Sequence, residues 1–146
     1  MHAPNQAAQT PKTPYFSLPV RIYYEDTDAG GVVYYANYLK FCERARTDWL
    51  RQTGFGQFQL AEEQGLVFVV RSVRADYLLA AVLDDMLEVV TTIGKLGHAS
   101  VTFHQKVLRE GVTIFDAQIV IACIDRHKKR AVPIPPAVRE QFATLV

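Results

Sequence analysis

Between Tyr34 and Arg51 the apolar residues fall three and four apart, whereas beyond Leu66 they fall two apart, through four separate stretches. This switch of period constrains the fold more than any other feature of the chain. Tyr34, Tyr38, Phe41, Ala45 and Trp49, flanked by Leu39, Cys42 and Leu50, mark one face of an amphipathic helix of about five turns. Asn37, Lys40, Arg44, Thr47 and Arg51 fall on the other side. Gly54 supplies a left-handed end, and Phe55 a hydrophobic contact folding back on it. The period-two stretches are residues 66–73, 86–95, 99–109 and 112–125, the last two joined by the tight turn Arg109-Glu110-Gly111. A further strand, residues 18–25, precedes the helix, with Val20, Ile22 and Tyr24 facing one way and Arg21, Tyr23 and Glu25 the other. The run AQIVIACI in the last strand suits a central position covered on both faces. One helix followed by consecutive strands with short links leaves no room for repeated crossover helices. The expected class is α+β: an antiparallel sheet of about five strands with the long helix against its concave face. Short helical segments are expected in QFQLAEEQG, ending at Gly65, and over residues 136–144.

At 146 residues the chain reads as one domain from residue 17 to residue 146, with residues 1–16, rich in Pro, Gln and Ala, as a disordered leader. That leader has no apolar core and does not read as a secretory signal. No stretch reaches the ~18 apolar residues that span a bilayer. A formal charge of +1 argues against whole-surface attraction to nucleic acid or anionic membrane. Cys42 and Cys123 sit in apolar runs without metal-ligand spacing, which reads as two small core residues in a reducing, cytoplasmic compartment.

Chemistry concentrates in the turn EDTDAGG, residues 25–31. Asp26 and Asp28 end a strand just ahead of the helix. Helix N-termini present unpaired N–H groups and a partial positive charge, so such an end can hold a carbonyl oxygen as it becomes an oxyanion. No Ser, Thr, Asp or Asn directly precedes the apolar-periodic residues at Val33–Tyr34, so the expected helix start leaves its donors to a ligand. A carboxylate beside that carbonyl can attack it, or deprotonate a water that does. The residues alone favour a plainer reading, in which both aspartates only cap the turn and the helix. Among the tyrosines at 23, 24, 34, 35 and 38, most read as packing, and Tyr35 stands out at the expected helix start. Arg44 and Asp48 read as a surface ion pair, and Glu43 with Arg46 as a second. The basic turns at 95–98 and at 126–130 (RHKKR) are candidates for the phosphates of a nucleotide-bearing ligand. His2, His98, His104 and His127 have no metal-ligand spacing, so no metal is expected, and no nucleophilic serine, P-loop or dinucleotide motif occurs.

The run YYEDTDAGGVVYYANYLKFCERAR resembles the signature of the hotdog-fold acyl-CoA thioesterases of the 4-hydroxybenzoyl-CoA thioesterase family, and in particular the Tol–Pal-associated branch. The resemblance extends over about residues 18–135. It implies a long central helix wrapped by an antiparallel sheet, hydrolysis of a CoA thioester to free acid and CoA, and no cofactor beyond the coenzyme A of the substrate. It implies Asp28 as the catalytic carboxylate, general base or nucleophile, and a backbone N–H at Tyr35 that holds the thioester carbonyl. Gly31, Val32, Val33 and Tyr34 would line the same site. Val69, Val70 and Arg71 would line a pantetheine tunnel, and Lys95 and His98 would meet the CoA phosphates. Dimers joined edge to edge, often paired into tetramers, are implied as well, and acyl carrier protein is a possible alternative carrier. Many members of the branch place a histidine where this chain has Tyr35. That departure keeps a backbone role and removes an imidazole one. Two rival readings are a non-catalytic acyl-CoA or carrier-protein binding module and a hotdog dehydratase. The dehydratase needs a histidine near the helix start, and none occurs between His2 and His98.

Overall fold

The computed structural model describes residues 14–54 and 56–146, so the expectations for the leader up to residue 13 and for Phe55 lie outside the described residues. Strand β1 (Phe16–Arg21) is followed by one 3-10 turn (Tyr24–Asp26), then helices α1 (Asn37–Gln52) and α2 (Gln57–Gln64). Strands β2 (Leu66–Tyr77), β3 (Met86–Leu96), β4 (Ser100–Arg109) and β5 (Val112–Asp125) come next. A short β6 (Arg130–Ala131) and helix α3 (Pro136–Ala143) end the chain.

The sheet order is β1-β3-β4-β5-β2, every pairing is antiparallel, and β6 adds to β5. Although β2 follows the helices directly, it lies at the far edge of the sheet. Residues 78–85 must therefore cross the ends of β5 and β4 to reach β3. This crossing seats the acidic turn, whose Val33 N–H donates to the Ala81 carbonyl. Register rows fix which residues share a level, and one such row runs Tyr77, Phe115, Val107, Val89.

Period-two burial follows the expectation closely in the central strands. On β4, Val101, Phe103, Gln105 and Val107 are buried and their neighbours less so. On β3, Leu87, Val89, Thr91 and Ile93 do the same. Helix α1 lays Phe41, Cys42, Ala45 and Trp49 on that face. Each large apolar side chain so buried contributes about 1.5–3 kcal/mol. Gly54, in the left-handed region at φ 95°, follows the end of α1 as expected.

Four expectations are corrected. The first strand stops at Arg21 rather than continuing to Glu25, because the Asp26 carboxylate accepts the Tyr23 N–H (2.8 Å) and bends residues 24–26 into a 3-10 turn. Tyr24 is consequently 82% exposed instead of sharing the core face with Ile22. Strand β2 runs four residues past Val73, its polar Arg74 and Asp76 alternating with Ala75 and Tyr77, which sit opposite Ala117 and Phe115. The ion pairs differ too: Asp48 binds Arg51 (2.9 Å), and Arg44 stands over the Phe41 ring. Arg46 turns inward to Gln105, while Glu43 accepts from Thr47.

Candidate active site

Residues 26–34 form a small hairpin. Thr27 pairs with Val33, the Asp28 N–H donates to the Val32 carbonyl (2.9 Å), and the Tyr34 N–H donates to the Asp26 carbonyl (2.9 Å). Ala29, Gly30 and Gly31 make the tip. Gly31 adopts φ +82°, a conformation that side-chain-bearing residues rarely take. A Cβ on Gly30 would come within 3.2 Å of the Asp28 Oδ1, which accepts the Gly30 N–H at 2.8 Å. The two glycines thus let the tip fold tightly against the carboxylate. Asp28 is exposed, and among the described residues no donor engages its Oδ2.

The hairpin docks on the 78–85 crossing, where the Val33 N–H donates to the Ala81 carbonyl (2.9 Å) and the Ala81 N–H donates to the Tyr38 hydroxyl (3.3 Å). Arg109 holds the crossing from the sheet, donating to the Ala80 carbonyl (2.8 Å) and to Asp85 (2.9 Å). Burial works against ionising Asp85, but the Val82 N–H and Arg109 outweigh it and hold the carboxyl below its ordinary value.

Helix α1 begins at Asn37, three residues later than the expected start at Tyr34, with Ala36 in the cap position and no side-chain cap. The Asn37 side chain reaches back instead, donating through Nδ2 to the Asp26 carbonyl (2.9 Å). Of residues 31–36, the N–H groups of Gly31, Val33 and Tyr34 are engaged within the hairpin and crossing. Among the described residues, those of Val32, Tyr35 and Ala36 have no backbone acceptor. Open N–H donors just ahead of a helix start are groups able to hold a carbonyl oxygen. The Tyr35 carbonyl accepts from the Tyr77 hydroxyl (2.9 Å), and the Tyr35 ring packs edge-on to Tyr77. Tyr38 stacks on Phe115 and Tyr77 meets the same ring edge-on, and burial raises both phenols. Residue spacing alone marks neither Tyr77 nor the crossing. The exposed apolar run Tyr77-Leu78-Leu79 is the signal that marks them.

The remaining candidates lie elsewhere. Val69 and Val70 sit mid-strand on the β2 edge, 42% and 51% exposed, and a bulge between Val70 and Ser72 leaves Arg71 without a partner on β5. Lys95 pairs with Thr102, six positions along β3 from Val89, which puts it roughly 20 Å from the row that ends at Tyr77. His98 accepts the Ile134 N–H on its carbonyl (3.1 Å), and the 126–130 turn shares that end of the sheet. Within one chain the acidic hairpin and the basic turns therefore stand at opposite ends. Both cysteines are buried free thiols, and burial pushes Cys42 up to about 12, out of reach of nucleophilic use.

A protein-family model for the thioesterase-like superfamily matches residues 23–142. The chain belongs to the thioesterase-like superfamily. It is 48% identical over 127 residues to acyl-CoA thioesterase YbgC of Haemophilus influenzae, covering 87% of this chain and 93% of that one. It is 42% identical over 131 residues to acyl-CoA thioester hydrolase YbgC of Escherichia coli, covering 89% and 97%. The structure of a probable thioesterase from Bartonella henselae superposes with a TM-score of 0.78 at 35% identity, covering 83% of this chain and 99% of that one. A 4-hydroxybenzoyl CoA thioesterase mutant complexed with 4-hydroxybenzoyl CoA superposes at 0.81 and 23% identity, over 88% and 98%, and shows the fold alone. The fold is the hotdog fold that the signature implied. Among the described residues, no helix is long and apolar enough to cross a membrane.

Proposed function

We propose that the chain is an acyl-CoA thioesterase, hydrolysing a CoA thioester to the free acid and CoA. What supports this reading is that Asp28 keeps an Oδ2 with no donor among the described residues, while Tyr35 and Ala36, just ahead of α1, keep N–H groups with no backbone acceptor. The names of the relatives above support the reaction class. The thioester carbonyl accepts from the helix-start N–H groups, which stabilise its oxygen as charge develops there; such donors typically contribute ~10²–10³-fold in rate. Asp28 then acts in one of two ways. As general base it takes a proton from the attacking water. As nucleophile it bonds to the carbonyl carbon, CoA leaves as thiolate, and water cleaves the resulting anhydride. Single turnover in labelled water separates the two, since only the anhydride route can place the label in Asp28.

The outer side of β2 carries no strand among the described residues. A second copy paired antiparallel across it would bring that copy's 95–98 and 126–130 turns to this copy's acidic hairpin. This supports a homodimer, or a pair of dimers, in which Lys95 and His98 of one copy meet the phosphates of a CoA held by the other. Val69, Val70 and Arg71 would lie along the pantetheine between them. The reading needs no cofactor and suits a cytoplasmic enzyme. An acyl carrier protein thioester is the alternative donor.

The test is a panel of acyl-CoAs with detection of free CoA thiol, comparing the wild type with Asp28→Asn. Full activity in the variant on the best substrate overturns the assignment. Saturable acyl-CoA binding without hydrolysis across the panel would favour the non-catalytic binding module.

A further inference from the structure

The 78–85 crossing is closed on itself by one side chain from the sheet. Strand β4 ends at Arg109, and the next two residues, Glu110 and Gly111, both lie in the left-handed region, at φ 51° and 80°. A two-residue loop of that kind matches the twist of its flanking strands, which fixes the strand end from which Arg109 reaches. Backbone bonds hold the two ends of the crossing, Leu78 and Leu79 on the Ile114 carbonyl and residues 84–85 on Ile22. Its middle is held by side chains. Arg109 Nη1 donates both to the Ala80 carbonyl (2.8 Å) and to Asp85 Oδ2 (2.9 Å), and that same oxygen accepts the Val82 N–H (2.9 Å). One guanidinium nitrogen therefore buckles residues 80, 82 and 85 together, with the fully buried Ala81 inside the buckle. The Arg109 and Asp85 side chains are 26% and 21% exposed, so solvent and salt screen the pair less than a surface one. Ala81 is the residue on which the hairpin rests: its carbonyl takes the Val33 N–H, and its N–H goes to the Tyr38 hydroxyl. Val33 pairs with Thr27, the neighbour of Asp28. Among the described residues Arg109 makes no hydrogen bond or ion pair to the hairpin itself, so it acts on it only through the crossing.

We infer that Arg109 is a positioning residue for the acidic hairpin: through Ala80 and Asp85 it fixes Ala81, and through Ala81 the place of the turn that carries Asp28. Its effect on rate rests on the thioesterase reading; its hold on the hairpin does not, and two readouts keep them apart. Amide hydrogen exchange is followed in the full chain, for the wild type and Arg109→Met, beside the acyl-CoA assay. Arg109→Met speeds exchange of the Val33 N–H by about tenfold, as loss of a local anchor does, and leaves the amides of the buried strand residues Val89 and Val107 at wild-type rates. kcat falls by on the order of tenfold while KM stays within about twofold, since ~1 Å of misplacement in a reacting group costs up to 10²-fold. Arg109→Lys, which returns a charged donor to Asp85, recovers part of both losses. Asp85→Asn weakens the same buckle and speeds Val33 exchange by a smaller factor, and it decides the matter should Arg109→Met fail to fold. The inference is overturned if Val33 exchange is unchanged, if the Val89 and Val107 amides open with it, if kcat holds while the hairpin loosens, or if Arg109→Lys recovers nothing. Full kcat in Asp28→Asn refutes the thioesterase reading instead, and the exchange rates then decide the role of Arg109 alone.

Discussion

The two halves of α1 leave hydrogen-bonding capacity unspent in different ways. At the front, the unfilled groups are backbone N–H donors of residues before the helix, in an open hairpin held by glycine turns. At the rear, the unfilled groups belong to a buried guanidinium, held by Gln105, which also donates to the Cys42 carbonyl (2.9 Å) and the Thr91 hydroxyl (2.8 Å). The front is solvated and costs little to leave open. At the rear burial works against the Arg46 charge, so losing the Gln105 partner it has is felt as stability. Substitutions at the front should therefore change rate with little change in stability, and substitutions at the rear the reverse.

The largest effect expected is on rate. Asp28→Asn should lower kcat by about 10²–10⁴-fold, the range for losing a positioned base. Its melting temperature should stay near that of the wild type, since the Asp28 side chain engages only the Gly30 N–H among the described residues. A parallel fall in stability would break the contrast. Next, Gln105→Leu should cost roughly 3 kcal/mol or more in urea unfolding, because it strands Arg46, Thr91 and the Cys42 carbonyl together. Adding Arg46→Met to that variant should recover much of the loss, since two apolar groups replace a broken buried pair. If the double variant is no more stable than the single one, the network is not what limits this region.

Smaller in size is Tyr77→Phe, which removes the hydroxyl bond to the Tyr35 carbonyl. A bond of this kind is worth about 0.5–1.5 kcal/mol, so kcat should fall severalfold while KM changes little. An equal change in both would mean that Tyr77 serves substrate binding. The smallest concerns Asp85. Its folded carboxyl lies below the ordinary value, so the stability it adds is fully present above about pH 4 and is lost as pH falls from there toward the folded value. Asp85→Asn should remove less than about 1 kcal/mol at neutral pH and make the acid limb of stability shallower. An unchanged acid limb would place the titration elsewhere.

Much of this was legible from residue spacing. The α1 face, the central strands and the acidic turn follow from period and turn chemistry, which act locally. The same locality explains the misses. The Asp26 carboxylate that bends residues 24–26 is a side-chain choice that alternation does not reveal. Strand β2 hides its last residues because its outer face is polar at an edge. Arg46 reads as a surface partner of Glu43 until the sheet places Gln105 beneath it, 59 residues away. At the site, the family signature pointed to Asp28 and the helix start, whereas the crossing that seats them depends on strand order, which no local pattern encodes.

The tyrosine hydroxyl on the Tyr35 carbonyl has one more consequence. Carbonyl and following N–H belong to a single rigid, trans plane, pointing opposite ways. A hydroxyl that pins the Tyr35 oxygen therefore also aims the Ala36 hydrogen, from 42 residues further along the chain. The direction of a main-chain donor at the mouth of the site is thus under side-chain control, and a single oxygen atom on β2 works as its rudder.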